Sequence, residues 1–368
     1  MEVVVGCRAV TARDGERATL TRTSPLRPFA AAAALVAAVV ALAGCSTAPL
    51  DVGSQAAAPR VTQGPRTATL ASADPQVVTP TPLPRLPVTV DTADGRRVTV
   101  TDVSRIVALD RYGTYGTTVF ALGLGGNLVG RDIATKFPAA QRIPVLTLGG
   151  TDANVEAIIA LRPTVVLTDA SLPSASTVVR QLASAGIPVV VGDESRSAAG
   201  TPAQLRFVAR ALGVPDAGDR LAQETQDRVA AERARRPDVA ESNRPRIAFL
   251  YARGTGLLIL GGPGSGADSL IDAVGGRDAG TAAGLTDAFT SLTSEGLIRA
   301  RPDVILMMTD GLRSVGGVDG LLRVPGVSET PAGRTRTVVD MDDGELLSFG
   351  PRTADVVTAL SRALYGPR

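Results

Sequence analysis

Two glutamates occupy the same point of a phrase that the sequence contains twice. Glu156 lies in residues 154–167 and Glu295 in residues 293–306, and the two segments share the glutamate, an Arg-Pro pair and an apolar run in register. A short helix ended by proline and followed by an all-apolar strand is one unit of a parallel sheet. A carboxylate in the first turn suits the positive end of the helix dipole. The pair therefore predicts either two helix-stabilising charges or two exposed contacts for one symmetric partner.

Residues for catalysis are otherwise scarce. The chain has no histidine, and its two cysteines, Cys7 and Cys45, lie within or directly after the export signal described below. Acid–base catalysis would have to use carboxylates, tyrosines or the single lysine, Lys136. The sequence also has no Gly-x-Ser-x-Gly motif to position a nucleophilic serine. The lack of tryptophan and the 3% of aromatic residues leave few platforms for stacking a sugar. We therefore expect a binding protein rather than an enzyme.

Residues 1–44 have the features of a lipoprotein signal peptide. Arginines precede an apolar stretch at 29–43 that is short for a membrane span, and the stretch ends in Leu-Ala-Gly before Cys45. This tetrapeptide resembles the lipobox of bacterial lipoproteins, in which the cysteine carries the lipid. We expect an extracytoplasmic protein anchored to the cell membrane through Cys45, and an uncleaved anchor would also leave the domain outside the membrane.

The rest of the chain predicts two lobes. A formal net charge of +2 gives no sign of the strongly basic surface that binds nucleic acid. Residues 45–85, rich in Ala, Thr, Pro and Gln without hydrophobic periodicity, read as a disordered tether. Alternating strands and helices follow, which predicts an α/β fold of two Rossmann-like lobes joined by a single long helix. The expected boundaries are 86–217 for the N-terminal lobe, 218–243 for the connecting helix and 244–368 for the C-terminal lobe.

The hydrophobic periodicity and the turn residues predict individual strands and helices. A hairpin is expected around Asp94-Gly95, with strands at 88–90 and 98–100. All-apolar runs and their flanking turn residues predict buried strands and the helices between them. The strands are expected at 106–109, 165–168, 189–191 and from 246, and the helices at 117–124, 174–185 and 352–365.

The whole set of features resembles the substrate-binding proteins of ATP-driven importers for iron-siderophores, heme and cobalamin, and most of all the actinobacterial heme-binding lipoproteins. The resemblance covers nearly all of the chain from residue 105 onward. It rests on Ala-Leu-Gly-Leu-Gly at 121–125, Val-Gly-Arg-Asp at 129–132, Phe-Leu-Tyr-Ala-Arg-Gly at 249–254, Gly-Gly-Val-Asp-Gly-Leu-Leu at 316–322, Pro-Gly-Val at 325–327, Thr-Pro-Ala-Gly at 330–333 and Phe-Gly-Pro-Arg-Thr at 349–353. In that family the two matched glutamates engage arginines of the permease, which implies docking roles for Glu156 and Glu295.

The resemblance also implies a ferric heme held by a tyrosine of one lobe and a histidine of the other. Tyr251 matches the tyrosine, and strand alternation places Arg253 beside it, where a guanidinium favours the phenolate that ferric iron prefers. The expected histidine position, after Gly149-Gly150, holds Thr151 followed by Asp152. Thr151 is a poor ferric ligand, so we expect it to contribute a hydrogen bond, a bound water or packing at the ligand site. Asp152 could bind iron as a hard carboxylate, but a carboxylate at a helix start is more often an N-cap. Tyr251 is therefore expected as the sole protein ligand unless the ligand has changed. Without the resemblance, Tyr251 reads as a half-buried strand tyrosine.

Further residues are candidates for the rim of the cleft. Tyr112 and Tyr115 follow the strand at 106–109, where ligands of open α/β sheets bind, although this loop could simply pack on the next helix. Arg131 and Arg196 could pair with heme propionates or siderophore carboxylates, or lie on the solvated surface. The glycine-rich loop at 261–266 lacks the phosphate-binding patterns, so a tight turn into a helix is expected there.

These observations predict a lipid-anchored receptor that captures ferric heme and delivers it to an ABC importer. The expected partners are a permease dimer with its ATPase subunits, and the receptor itself is expected to be a monomer. Two alternatives stay open: a carrier of ferric siderophore or cobalamin in the same transporter class, and a lipoprotein that relays or senses heme without transport.

Overall fold

A computed structural model describes residues 60–149, 152–236 and 239–367, so the predicted signal peptide and Cys45 lie outside the described residues. In that part of the chain, no helix is both long and apolar enough to cross a membrane. The strands in chain order are β1 (Arg66–Ala68), β2 (Val88–Asp91), β3 (Arg97–Val100), β4 (Ile106–Leu109), β5 (Leu128–Arg131), β6 (Thr147–Leu148), β7 (Asp152–Ala153), β8 (Val165–Thr168), β9 (Val189–Val191), β10 (Arg246–Arg253), β11 (Leu257–Gly261), β12 (Arg277–Asp278), β13 (Phe289–Ser291), β14 (Val304–Met308) and β15 (Val338–Met341).

The α-helices are α1 (Thr114–Ala121), α2 (Val155–Ala160), α3 (Ala175–Ser184), α4 (Thr201–Ala211), α5 (Pro215–Ala234), α6 (Ala267–Ala273), α7 (Ala279–Ala282), α8 (Ser294–Ala300), α9 (Thr309–Ser314), α10 (Gly317–Leu321), α11 (Pro331–Thr335) and α12 (Thr353–Tyr365). Short 3₁₀ turns lie at Gly125–Asn127, Pro138–Ala140 and Glu241–Asn243.

The N-terminal lobe is built on a parallel sheet in the order β5-β4-β8-β9. Helices α1 and α4 cover one face, and α2 and α3 cover the other. Because both faces are covered, β4, β8 and β9 are buried throughout their length and are apolar except for Thr168 at the end of β8. The predicted strands at 106–109, 165–168 and 189–191 are confirmed at those residues.

Helix α1 begins three residues before the predicted start at 117 and ends at Ala121. The Asp110 carboxylate accepts hydrogen bonds from the backbone N–H groups of Thr114 and Tyr115, at 3.2 and 3.0 Å. Gly113 precedes the helix with φ 74°, a conformation that suits glycine. An aspartate four residues before a helix is therefore the start signal that periodicity alone did not show.

The C-terminal lobe holds a mixed sheet in the order β1-β15-β14-β10-β11-β13, with β12 also paired to β10. Strands β1, β15, β14 and β10 are parallel, whereas β11 and β13 continue as an antiparallel edge. Helices α6 and α12 pack on one face, and α8 to α11 pack on the other. The predicted α/β fold with two lobes is confirmed.

Helix α5 connects the lobes and is shorter than the expected 218–243. It begins with Pro215 at its first position, which suits a proline, and ends at Ala234. It packs against α4 of the N-terminal lobe and α12 of the C-terminal lobe. Ion pairs join it to the C-terminal lobe, from Arg228 to Asp355 and, at 3.3 Å, from Arg233 to Asp272.

Residues 60–87, named here the N-terminal strap, differ from the disordered tether that composition predicts for 45–85. Strand β1 pairs with the edge of β15 in the C-terminal lobe. The strap then crosses to the N-terminal lobe, where the N–H of Val78 donates to Ala121 O at 2.9 Å and the N–H of Arg85 donates to Gly213 O at 2.7 Å. Main-chain hydrogen bonds need no hydrophobic pattern, which is why the sequence did not reveal them. The lobes are thus connected by the strap as well as by α5.

Candidate ligand site

Loops at the carboxyl ends of the parallel strands bring the two lobes together. Lys136, after β5, forms an ion pair with Asp342, after β15, at 3.0 Å. The hydroxyl of Thr114 donates to the carbonyl oxygen of Ser348 across the same interface. Ligands of α/β sheets bind at this end of the strands, so the space between the lobes is the candidate ligand site.

Tyr251 lies near the carboxyl end of β10 and is half-buried. The guanidinium carbon of Arg253 lies 4.6 Å from the centre of the Tyr251 ring. Arg253 is held there by Asp343, whose Oδ1 is 2.9 Å from Nη2, and by the carbonyl oxygen of Ala252. Within the described residues the Tyr251 hydroxyl forms no hydrogen bond. The pair that strand alternation predicts is therefore present, and its phenol oxygen is free to bind a ligand.

Beside Tyr251 the sheet presents an apolar surface that sequence reasoning missed. Across the antiparallel ladder Tyr251 faces Ile259 and Arg253 faces Leu257, so these side chains share one side of the sheet. Phe289 of β13 lies on the same side, opposite Gly261. Leu257 is 45% exposed and Phe289 43% exposed. We call Leu257, Ile259 and Phe289 the apolar shelf.

The shelf carried no signal in the sequence because β11 is apolar at nearly every position. A run such as residues 257–260 shows a strand but does not show which of its faces is left uncovered. Only the ladder with Tyr251 assigns Leu257 and Ile259 to the open face.

Tyr112 lies on the N-terminal lobe directly after β4. Together with Tyr251, it packs against the C-terminal core that contains Phe249 and Phe349. The guanidinium carbon of Arg196 lies 5.2 Å from the centre of the Tyr112 ring, a distance that allows a cation–π contact. The two tyrosines therefore reach the same region from different lobes.

Arg196, expected to bind carboxylates of the ligand, is instead buried behind Tyr112. Its Nη2 pairs with Asp169 Oδ2 and lies 3.6 Å from Asp110 Oδ1. Burial alone would lower the pKa of Arg196, but Asp110 and Asp169 outweigh it and raise the pKa. The charge of Arg196 is thus already neutralised inside the protein, and its ligand role stays a prediction.

Arg131 was also expected to face ligand carboxylates and is buried too. Its Nε donates to the carbonyl oxygens of Ala140 and Ile143, both at 3.0 Å, and its Nη1 donates to Asp132 O at 3.1 Å. These bonds fold the 132–143 loop back onto β5. Backbone carbonyls thus occupy donors of Arg131, and its ligand role stays a prediction.

Aspartates follow the central strands of the N-terminal sheet and shape the rim loops. Asp110 Oδ1 accepts the N–H of Tyr112 at 2.8 Å, and Asp132 Oδ1 accepts the N–H of Thr135 at 2.7 Å. Burial, with a further contribution from Asp169, raises the pKa of Asp110. Burial, with a contribution from Asp110, raises the pKa of Asp132 to about 8. We call Asp110, Asp132, Asp169 and Arg196 the buried charge cluster.

The remaining candidates for the rim of the cleft are Tyr115, Thr151 and Asp152. Tyr115 is buried in the N-terminal core rather than at the rim. Thr151 lies outside the described residues. Asp152 is exposed in β7, and the N-cap of α2 is Asn154 instead, whose side chain accepts the N–H of Ala157.

The glycine-rich loop at 261–266 is a turn into α6, as its sequence predicted. Asp268 Oδ2 accepts the N–H of Gly264 at 2.8 Å, so the protein's own carboxylate occupies this loop. Gly266, with φ 83°, packs so closely that an added Cβ would lie 2.9 Å from the Phe349 ring and 3.3 Å from the Cβ of Arg196. Glycine is needed there for the lobes to meet.

The two repeated units have matching backbones. Asn154 caps α2 and Thr293 caps α8, each accepting a backbone N–H three residues later. Arg162 and Arg301, at the other ends, have φ of 46° and 47°. Glu156 and Glu295 are exposed in the first turns, and in the described parts of the chain neither has a hydrogen-bond or ion-pair partner. Since Asn154 and Thr293 cap the helices, neither glutamate is needed as a cap.

Two α/β lobes that meet at their strand ends define a substrate-binding protein of the class III periplasmic type. The family described as periplasmic binding protein matches residues 106–344, which span both lobes, and the chain belongs to that family. The family binds solutes for transport and is not a family of enzymes, which agrees with the class that the sequence predicted.

Similar proteins include members of this kind. The chain is 26% identical over 281 residues to an uncharacterized ABC transporter substrate-binding lipoprotein, YvrC, of Bacillus subtilis (strain 168), covering 76% of this chain and 86% of YvrC. The solved structure of heme binding protein HmuT is 36% identical, with a TM-score of 0.77, and covers 82% of this chain and 97% of HmuT. Periplasmic heme-binding protein RhuT from Roseiflexus sp. RS-1 in apo form is 38% identical, with a TM-score of 0.66, and covers 72% of this chain and 98% of RhuT.

Proposed function

We propose that this protein captures ferric heme between its lobes and delivers it to an ABC importer. The observation that carries the proposal is the Tyr251–Arg253 pair beside the apolar shelf. A free phenol oxygen suits ferric iron, and the Arg253 guanidinium lies over the ring of Tyr251. The shelf offers apolar surface to the porphyrin, whose burial drives binding.

The relatives support heme as the ligand. HmuT and RhuT are both described as heme-binding, and both cover more than two thirds of this chain above 35% identity. YvrC is described as an ABC transporter lipoprotein, which supports import and a lipid anchor at Cys45. The receptor is then extracytoplasmic and partnered by a permease dimer with its ATPase subunits.

Heme binding in this chain does without a histidine, since the sequence has none. Tyr251 is then the sole side chain that we assign to the iron, and Thr151 contributes at most a hydrogen bond or packing. The propionates are not assigned to Arg131 or Arg196, which are buried and occupied. Arg111, exposed beside Tyr112 with its Nε bound to Ser171 O at 3.0 Å, is the rim cation that we assign to them.

Glu156 and Glu295 are the residues that we assign to permease docking. Both are exposed, both lack partners in the described chain, and the repeat puts one on each lobe. A permease dimer has two similar halves, so two matched carboxylates suit two matched basic residues.

An absorbance titration of the mature domain with hemin tests the ligand, run beside Tyr251→Phe and the matched rim variant Tyr112→Phe. We expect saturable one-to-one binding with a phenolate-to-ferric charge-transfer band that is lost only in Tyr251→Phe. Absence of saturable binding would reject heme. The same titration with ferric siderophores and cobalamin would then identify the ligand.

A further inference from the structure

An isoleucine accompanies each of the two glutamates on the surface. Ile159 is 40% exposed and Ile298 is 44% exposed, and in the described part of the chain they are the exposed large apolar side chains that lie in α-helices. Each lies three residues after its glutamate, Glu156 or Glu295. Positions i and i+3 of a helix lie on the same face, so each lobe presents a carboxylate and an isoleucine together. We call Glu156 with Ile159, and Glu295 with Ile298, the two outer faces.

Comparison of the two helices separates packing from recognition. In register, α2 and α8 share an identical residue only at the glutamate and at the exposed isoleucine. The buried position between them differs, with Ile158 in one helix and Leu297 in the other, although both side chains are fully buried. Core packing therefore tolerated change between the repeats while the exposed pair stayed the same. Packing does not explain the exposed part of each isoleucine, because surface that stays in contact with water adds nothing to hydrophobic burial.

We propose that each outer face docks as a unit onto one half of the permease dimer, with the glutamate pairing to a basic residue and the isoleucine entering an apolar hollow beside it. This deepens the docking role assigned under the proposed function and rests on it. The carboxylates are exposed and have no partner within the described chain, so they are available to basic residues of a partner. The duplication suits a partner with two similar halves, because one copy of the pair would serve an asymmetric site.

The two parts of a face play different roles in binding. An exposed ion pair steers and orients the encounter and weakens as salt is added. The isoleucine loses its remaining exposed surface on docking, and this contribution resists salt. Loss of the glutamate should therefore change the salt dependence of binding, whereas loss of the isoleucine should weaken binding equally at all salt concentrations.

Photocrosslinking in the protein's own cells tests the contact and at the same time captures the permease for identification. The photoreactive residue p-benzoylphenylalanine replaces Ile159, Ile298 or, as the control, Val77, which is 47% exposed on the N-terminal strap. We expect positions 159 and 298 each to capture the membrane-spanning subunit of one ABC transporter, and position 77 not to capture it. Capture of no such subunit from 159 and 298, or equal capture from 77, would overturn the proposal.

Affinity measurements then test the division of roles on the captured transporter, purified into nanodiscs. We expect Ile159→Ser and Ile298→Ser each to weaken binding about fivefold with an unchanged salt dependence. Glu156→Gln and Glu295→Gln should weaken binding and also flatten its salt dependence, and Val77→Ser should do neither. Isoleucine variants that bind like the wild type would overturn the proposal.

Hemin titration of the same variants separates this inference from the proposed ligand. All of them should bind hemin as the wild type does, because none of the substituted residues is assigned to the ligand. Docking that depends on the isoleucines in a protein that fails to bind hemin would reject heme and leave the docking proposal standing. Normal hemin binding and uptake with no contact at 159 and 298 would reject the docking proposal alone.

Discussion

The two halves of the ligand site are built in opposite ways. The N-terminal half hides its charges, since Asp110, Asp169 and Arg196 are buried behind Tyr112 and hold the rim loops in shape. The C-terminal half instead leaves Tyr251 and Arg253 open beside an apolar shelf. The N-terminal lobe thus supplies a wall held by buried charges, whereas we assign the ligand chemistry to the C-terminal lobe. On the outer surface, by contrast, the lobes are alike.

The largest expected effect is on the free energy of unfolding, through the buried charges of the N-terminal half. Arg196→Ala should lower the free energy of unfolding by roughly 3–5 kcal/mol, because it leaves the buried carboxyl groups of Asp110 and Asp169 without their cation. Arg253→Ala, which breaks a partly exposed pair with Asp343, should cost less than about 1 kcal/mol. Urea unfolding followed by circular dichroism measures both. Equal losses in the two variants would contradict the contrast between the halves.

The buried charge cluster also makes stability depend on pH. Burial raises the pKa of Asp132 to about 8, whereas an unfolded aspartate titrates near 4. The folded state thus holds a proton that the unfolded state has lost between these values, so stability is greatest below pH 4 for this group and falls as pH rises through 8.

We expect a loss approaching about 1.4 kcal/mol per pH unit for one such proton, and a smaller slope in Asp132→Asn. Urea unfolding between pH 5 and pH 9 measures the slope in both proteins. A wild-type stability that rises with pH across this window would show that Asp132 is not held protonated.

The apolar shelf should contribute less, and only to ligand binding. Phe289→Ser and Leu257→Ser each remove exposed apolar surface that a porphyrin would cover, so each should weaken hemin binding about fivefold. Their unfolding free energies should stay near that of the wild type. Val145→Ser provides a matched control, because Val145 is also 45% exposed but lies outside the shelf. If the control weakens binding as much as the shelf variants, the shelf has no special role.

The smallest expected effect lies in a difference between the outer faces. Arg299 follows Glu295 by one helical turn, whereas the N-terminal lobe has Ala160 at that position. A nearby arginine lowers the attraction of Glu295 for a basic partner by a few tenths of a kcal/mol. Glu156→Gln should therefore impair uptake about twofold more than Glu295→Gln. Uptake of labelled heme by cells carrying each variant measures the difference, and the reverse order would contradict it.

The sequence predicted what local pattern determines. Nearly continuous apolar runs placed β4, β8 and β9 at the right residues, because a strand covered on both faces buries almost all of its side chains. The repeat predicted the exposed first-turn positions of Glu156 and Glu295 for the same reason: each short helix must bury its opposite side.

Features set by tertiary contact were not predictable. The strap is held by main-chain hydrogen bonds to both lobes. Such bonds do not depend on the type of side chain, so the composition of the strap does not reveal them. Arg131 and Arg196 looked like surface cations because burial of a charge depends on partners distant in sequence, such as Asp169. The apolar shelf depends on which face of β11 stays uncovered, and that is decided by the arrangement of the whole lobe.

The central claim is that the C-terminal lobe alone supplies the iron ligand, through Tyr251. Resonance Raman spectra of the hemin-loaded protein test it most directly, because an iron-bound phenolate gives its own vibrational bands. We predict these bands in the wild type and in Tyr112→Phe, and their complete loss in Tyr251→Phe. Phenolate bands that persist in Tyr251→Phe, or that are absent from the wild type, would contradict the account.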